Sequence, residues 1–131
     1  MSNYRVLLDS HAFLFAAGDP SRLTRKTRQM LEDESCEVNV SVATIWELLL
    51  KARKGTIDLG DDPTEELQIM CRDLKANVLS VIQRHAYQCM KLGGFHKDPF
   101  DRLLVAQAQL EELVLVTRDR LIAKYNVKTT W

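Results

Sequence analysis

The amino-acid sequence predicts an α/β protein, with a mostly parallel sheet of four to five strands covered by helices on both faces. Three features carry that prediction. Short β-rich runs alternate with helical segments along the chain, the order produced by parallel strands joined through right-handed crossovers. At 131 residues the chain suits a single domain, 1–131, that buries roughly two thirds of its unfolded surface. Isolated acids recur just past strand ends or on the helices rising from them, and in such sheets ligands bind outside the carboxyl ends of the strands.

The first strand is read from Tyr4 to Leu8 and ends in Asp9, after which Ser10 to Ala17 has a helical composition. Gly18-Asp19-Pro20-Ser21 is a turn, and Thr24 caps a polar helix, expected to face solvent, from about Arg25 to Glu34. In Glu37 to Ser41, Val38 and Val40 alternate with Asn39 as a second strand. Val42 to Lys54 then forms a helix stopped by Gly55, with Glu47 its only acid. Asp61-Asp62-Pro63-Thr64 opens a helix from about Glu65 to Lys75, Val78 to Val81 is a third strand, and Gln83 to Leu92 is another helix. Gly93-Gly94 is expected to detach the next segment from that helix. Leu113 to Thr117 is the most strand-like run and ends in Arg118-Asp119, so Asp119 repeats the position of Asp9. Leu121 to Lys124 reads as a short helix and Val127 to Trp131 as a last strand.

Between these lies His96-Lys97-Asp98-Pro99-Phe100-Asp101-Arg102, which runs into the apolar segment Leu103 to Ala108. Asp98 is a good N-cap, Pro99 suits the first helical position and Asp101 falls in the first turn. The helix from Pro99 to about Glu111 is apolar almost all round, so burial is expected. Its two acids stand one turn apart, roughly 4.5 Å along the axis. They can be a capped helix start or one wall of a metal site, and this stretch alone leaves both open.

Composition narrows the class. Hydrophobic residues at 46% and charged residues at 27% are those of an ordinary globular protein. Cys36, Cys71 and Cys89, odd in number and without CxxC spacing, are expected to be reduced thiols. No apolar run approaches 18 residues, and the start, with Ser2, Asn3 and Arg5, lacks a signal-peptide core; a cytoplasmic protein without membrane contact is expected. Eighteen basic and eighteen acidic residues cancel, which argues against nucleic-acid binding by bulk charge.

Asp9, Glu47, Asp101 and Asp119, with Asp98 as a fifth, are the candidate site residues. Carboxylates gathered in a partly buried pocket raise one another's pKa unless a cation neutralises them. An all-oxygen donor set points to Mg²⁺, or Mn²⁺, rather than Zn²⁺. An ion so held commonly activates water against a phosphoryl group, so hydrolysis of a phosphodiester is the expected chemistry.

Four blocks then carry a resemblance: Leu7-Leu8-Asp9-Ser10-His11-Ala12-Phe13-Leu14, Ser41-Val42-Ala43-Thr44-Ile45-Trp46-Glu47, His96 through Ala108, and Leu115-Val116-Thr117-Arg118-Asp119. In order and spacing they resemble the signature blocks of PIN-domain ribonucleases, above all the VapC toxins of bacterial toxin-antitoxin operons. The resemblance implies a three-layer α/β/α sandwich, Mg²⁺-dependent endonucleolytic cleavage of RNA, a homodimer and a cognate antitoxin. It also implies that Asp9 and Asp101 are the main metal ligands, that Glu47 and Asp119 complete the quartet, and that Asp98 is a helper. Ser10 stands where the family has threonine and keeps the hydroxyl.

Plainer roles are expected elsewhere. His11 and His96 read as structural histidines and stay outside the candidate list. Trp46, Phe13 and Phe15 read as core or dimer-interface residues. Arg102, Arg118 and Arg120 could grip phosphates or be surface charge, and Lys51, Arg53 and Lys54 could touch RNA or favour a helix C-terminus. Two other functions compete. A non-catalytic module gripping an antitoxin or RNA would be expected to lack some of the acids. A phosphoryl-acceptor domain of receiver type would want paired acids at the first strand and a lysine after the last strand, and neither accompanies Asp9 or Asp119.

Overall fold

The computed structural model describes residues 4–131; Ser2 and Asn3, which entered the reading of the N-terminus, lie outside them. Five strands, β1 (Arg5–Leu8), β2 (Glu37–Ser41), β3 (Asn77–Leu79), β4 (Val114–Val116) and β5 (Thr129–Thr130), form one sheet in the order β3-β2-β1-β4-β5. All the pairings are parallel. Among the described residues six α-helices connect them: α1 (Ser10–Gly18), α2 (Arg25–Glu32), α3 (Val42–Lys54), α4 (Pro63–Asp73), α5 (Gln83–Met90) and α6 (Pro99–Glu111).

Alternation along β1 divides the interior into two layers. Val6 and Leu8 face one way and pack with Phe13 of α1, Met30 of α2, Leu48 of α3, and Leu67 and Met70 of α4. Leu7 faces the other way, against Leu104, Val105 and Ala108 of α6, with Leu115, Ile122 and Tyr125. Helices on both faces of a parallel sheet make the expected three-layer α/β/α sandwich. Because interior strands are then covered twice, even Asn39 is buried, and its amide donates to the Val6 carbonyl at 3.0 Å. Likewise α6 has five consecutive buried residues, Leu104 to Ala108, as its all-round apolar composition predicts.

Several boundaries differ from the sequence reading. The edge strands β3 and β5 are shorter, since only residues with a partner on β2 or β4 join the ladder. The turn at Pro20 becomes one turn of 3-10 helix, Pro20–Arg22. Helix α2 ends at Glu32 because the Asp33 carboxylate takes the Ser35 N–H at 2.8 Å and turns the chain. Nor does α2 only face solvent, for Thr27 and Met30 are buried. Helix α5 stops at Met90, short of Leu92. Among the described residues no helix is long and apolar enough to cross a membrane.

This topology positions the site. From β1 the chain moves outward to β2 and β3, then returns to place β4 on the other side of β1. The crevice opened by that reversal lies at the carboxyl ends of β1 and β4, where Asp9 and Asp119 follow their strands.

Candidate active site

Three helices begin at this edge of the sheet, each with a polar N-cap. Asp9 caps α1 by accepting the Ala12 N–H at 2.8 Å, Ser41 caps α3 through the Ala43 N–H at 3.0 Å, and Asp98 caps α6 through the Phe100 N–H at 2.8 Å. Side chains from the first turns of α1 and α6 and from the amino-terminal half of α3 therefore converge, with Lys51 beyond them. The resulting cleft, about 240 Å³, is lined by Asp9, Glu47, Asp98, Asp101 and Asp119, with Ser10, His11, Lys51 and Arg118. All five acids singled out in the sequence are brought together.

Their environments differ. Burial pushes Asp9 above its ordinary value, opposed by hydrogen bonds from the Thr117 hydroxyl and the Ala12 N–H. Asp101, on the first turn of α6, is pushed up to about 7 by burial and by the charges of Asp98, Glu47 and Asp9, against an opposing pull from His96. For Asp119 burial acts upward, but hydrogen bonds from His96 and the Leu121 N–H outweigh it and leave the carboxyl below its usual value. Glu47 is buried on α3; one oxygen pairs with Lys51 at 3.2 Å, and the other, Oε1, is buried without a hydrogen-bond partner. Crowded carboxylates and an orphaned buried oxygen form a donor set that suits a hard divalent cation.

Four residues acquire roles that the sequence reading did not give them. His96 sits inside the acid group, its Nε2 2.8 Å from Asp119 Oδ2 and 3.1 Å from Asp101 Oδ2. Thr117, buried at the end of β4, accepts the Asp119 N–H at 3.1 Å and hydrogen-bonds Asp9, so one hydroxyl links two acids. Lys51 is a wall of the cleft. Arg102 is engaged with the chain itself: its guanidinium donates to the carbonyls of Cys89, Leu92, Gly93 and His96, at 2.8–3.3 Å, and to the Tyr125 hydroxyl at 3.1 Å. Gly93-Gly94 therefore does not detach the loop before α6, which Arg102 binds to the helix. The only sequence signal for these roles was nearness to a candidate acid, and nearness does not say where a side chain turns.

Elsewhere the plainer readings divide. Phe13 is core, and Phe15 is buried beneath Arg22, whose guanidinium lies 4.2 Å from the ring centroid. Trp46 is not core: it is 59% exposed and meets Phe100 edge-on at 5.6 Å, beside the cleft. Arg118 lines the cleft and lies over Phe15 and Trp131. Arg53, Lys54 and Arg120 are exposed.

The family model of the PIN domain matches residues 6–128, nearly the whole described chain. This chain belongs to the PIN-domain family. PIN domains are nucleases that generally use divalent metal, which places the chain among hydrolases of nucleic acid. Solved PIN-like structures share its fold. Among them are the DNA-bound VapBC of Salmonella typhimurium (18% identity, 97% of each chain, TM-score 0.71) and VapBC2 of Rickettsia felis bound to a promoter DNA fragment (13% identity, 96% of this chain and 97% of that one, TM-score 0.74). A toxin-antitoxin complex from Klebsiella pneumoniae is also similar, at 23% identity over 96% of each chain with a TM-score of 0.63. No curated protein sequence matches this PIN domain.

Proposed function

We propose that this PIN domain is a Mg²⁺-dependent endoribonuclease and the toxin of a toxin-antitoxin pair. The observation that carries the reading is the convergence of Asp9, Glu47, Asp98, Asp101 and Asp119 in one cleft, with Asp101 pushed up to about 7 and a buried Glu47 oxygen lacking a partner. Asp9, Asp101, Glu47 and Asp119 would hold the ion, Mg²⁺ or Mn²⁺, and Asp98 would assist while capping α6. When bound, the ion supplies an activated water and charge stabilisation at the phosphoryl group.

The chain's own groups do the rest. Thr117 holds Asp9 and Asp119 in register, Lys51 turns Glu47, and Arg118 at the rim offers planar donors to a phosphate. Burial excludes bulk water from Asp9 and Glu47. RNA rather than DNA, the toxin role and the antitoxin partner rest on the four-block resemblance and the toxin-antitoxin complexes among the similar structures. A homodimer and an antitoxin would find apolar surface to cover at Trp46, Tyr87, Met90 and Phe95, all half exposed or more. A non-catalytic binding module is the weaker reading, because all five acids meet in one cleft. The chain is read as a single domain acting in the cytoplasm.

The test is incubation of antitoxin-free protein with total cellular RNA, with Mg²⁺ and with EDTA, and then mapping of new ends. Cleavage should need Mg²⁺ or Mn²⁺ and be absent from Asp101→Asn. Cleavage in EDTA, or activity restored by Zn²⁺ alone, would overturn the mechanism.

A further inference from the structure

We propose that His96 is the positioning residue that aims Asp119 into the acid cleft, acting as an Nε2–H donor and not as a ligand of the ion. This rests on the metal-dependent nuclease reading.

The ring is held in place on several sides. Its main-chain N–H donates to the Tyr125 hydroxyl at 2.9 Å, and its carbonyl accepts from Arg102 at 3.1 Å. Its Nδ1 accepts the Asp98 N–H at 3.1 Å, at the entry to α6. A nitrogen that accepts an N–H presents a lone pair, so the ring proton of the neutral imidazole sits on Nε2. That N–H points at Asp119 Oδ2, 2.8 Å from Nε2, with Asp101 Oδ2 at 3.1 Å from the same nitrogen. The other Asp119 oxygen accepts the Leu121 N–H at 2.8 Å. Both oxygens of Asp119 are thereby fixed, although its side chain lies on a loop and is 33% exposed.

The same three residues offer ligand atoms within 4.8 Å of one another, a spacing that would suit a cation held by His96, Asp101 and Asp119 together. Tautomer chemistry decides between the two roles. To bind a cation, Nε2 must present its lone pair, which places the proton on Nδ1, donor against donor with the Asp98 N–H. Ligation by His96 would therefore break the hydrogen bond that shapes the start of α6, the helix carrying Asp101. As a donor, His96 serves Asp119 through Nε2–H and the Asp98 N–H through Nδ1 at once.

The experiment has two parts. Long-range ¹H–¹⁵N NMR should find the Nε2–H tautomer of His96 in both metal-free and Mg²⁺-loaded protein. Mn²⁺ binding by EPR, and Mg²⁺ binding through the rise in melting temperature, should weaken about 10–100-fold in His96→Ala, to a similar degree for both ions, as for other groups that orient metal ligands. In His96→Gln, whose amide nitrogen reaches the place of Nε2, binding should return to within a few fold of wild type. An Nδ1–H tautomer, or Mn²⁺ affinity lost far beyond Mg²⁺ affinity with no rescue by Gln, would make His96 a ligand. Unchanged binding in His96→Ala would leave it only a structural residue, and either result overturns the proposal. Wild-type protein that keeps the Nε2–H tautomer yet binds neither ion would overturn the nuclease reading itself and this role with it.

Discussion

Asp101 is the residue whose surroundings ask most of it, and its titration is a direct check on the cleft. In the unfolded chain its carboxyl ionises near 3.8, whereas in the fold burial, then Asp98, Glu47 and Asp9, hold it protonated to about 7. The metal-free folded state thus binds the proton more tightly, so this group costs nothing below pH 4 and progressively more stability as pH rises toward 7. Asp101→Asn removes that cost. The variant's melting temperature minus that of wild type should grow between pH 4 and pH 7 and then level off. Added Mg²⁺ should raise wild type by up to roughly 1.4 kcal/mol per tenfold excess over its dissociation constant, and the variant much less. Thermal melts over pH and Mg²⁺ check this, and a difference flat in pH would leave Asp101 only its place in the first turn of α6. The acids were legible because capping is a local rule: Asp9 and Asp98 declare themselves through the helical segments that begin immediately after them. His96 and Thr117 were not, because the contacts that decide their roles, His96 with Asp119 and Thr117 with Asp9, span 23 residues and more than 100 residues of sequence.

At the scale of elements, the segment between α5 and α6 depends on one side chain. Arg102 uses both terminal nitrogens to hold four carbonyls and the Tyr125 hydroxyl, and Tyr125 in turn donates to the Gly93 carbonyl at 2.9 Å. Arg102→Met keeps the stem and removes every donor. It should destabilise the fold by about 1.5–3 kcal/mol, the worth of hydrogen bonds to a charged group, since water can replace part of what is lost at these half-exposed carbonyls. Arg102→Lys should recover only part, because an ammonium cannot span the set as the planar fork does. Urea denaturation of the three proteins measures this, and a loss below about 0.5 kcal/mol for Met would place Arg102 among ordinary surface charges. Interior elements, by contrast, were readable almost to the residue. Helices α3 and α6 and strand β2 match their expected spans because caps and turns mark them: Ser41 and a left-handed Gly55 bound α3, and Asp98-Pro99 opens α6. Edge strands were overextended because strand propensity continues after the neighbouring strand has ended.

At the scale of the molecule, the acid cleft poses an electrostatic problem that the net charge does not solve. The chain balances 18 basic against 18 acidic residues, so no bulk field draws a polyanion toward five carboxylates. On the nuclease reading proposed above, attraction would come from the ion and from the cations at the cleft: Lys51 and Arg118 on its walls, and Lys54 and Lys97 in the groove that shares Glu47, Lys51 and Asp98 with it. Each phosphate neutralised on a single strand contributes about −0.7 to the slope of log affinity against log salt. Four cations therefore set a limit of about −3, far shallower than in proteins that bind nucleic acid through a basic face. The expectation is checked with the Asp101→Asn variant, which should bind RNA without cutting it, by measuring affinity for a labelled single-stranded RNA between about 50 and 300 mM salt. A shallow slope, reduced by roughly one unit in Lys51→Gln combined with Lys97→Gln, would place the strand along this groove. A slope of about −6 or steeper would mean that a larger cationic surface, formed by a dimer or by another face of the fold, carries the substrate.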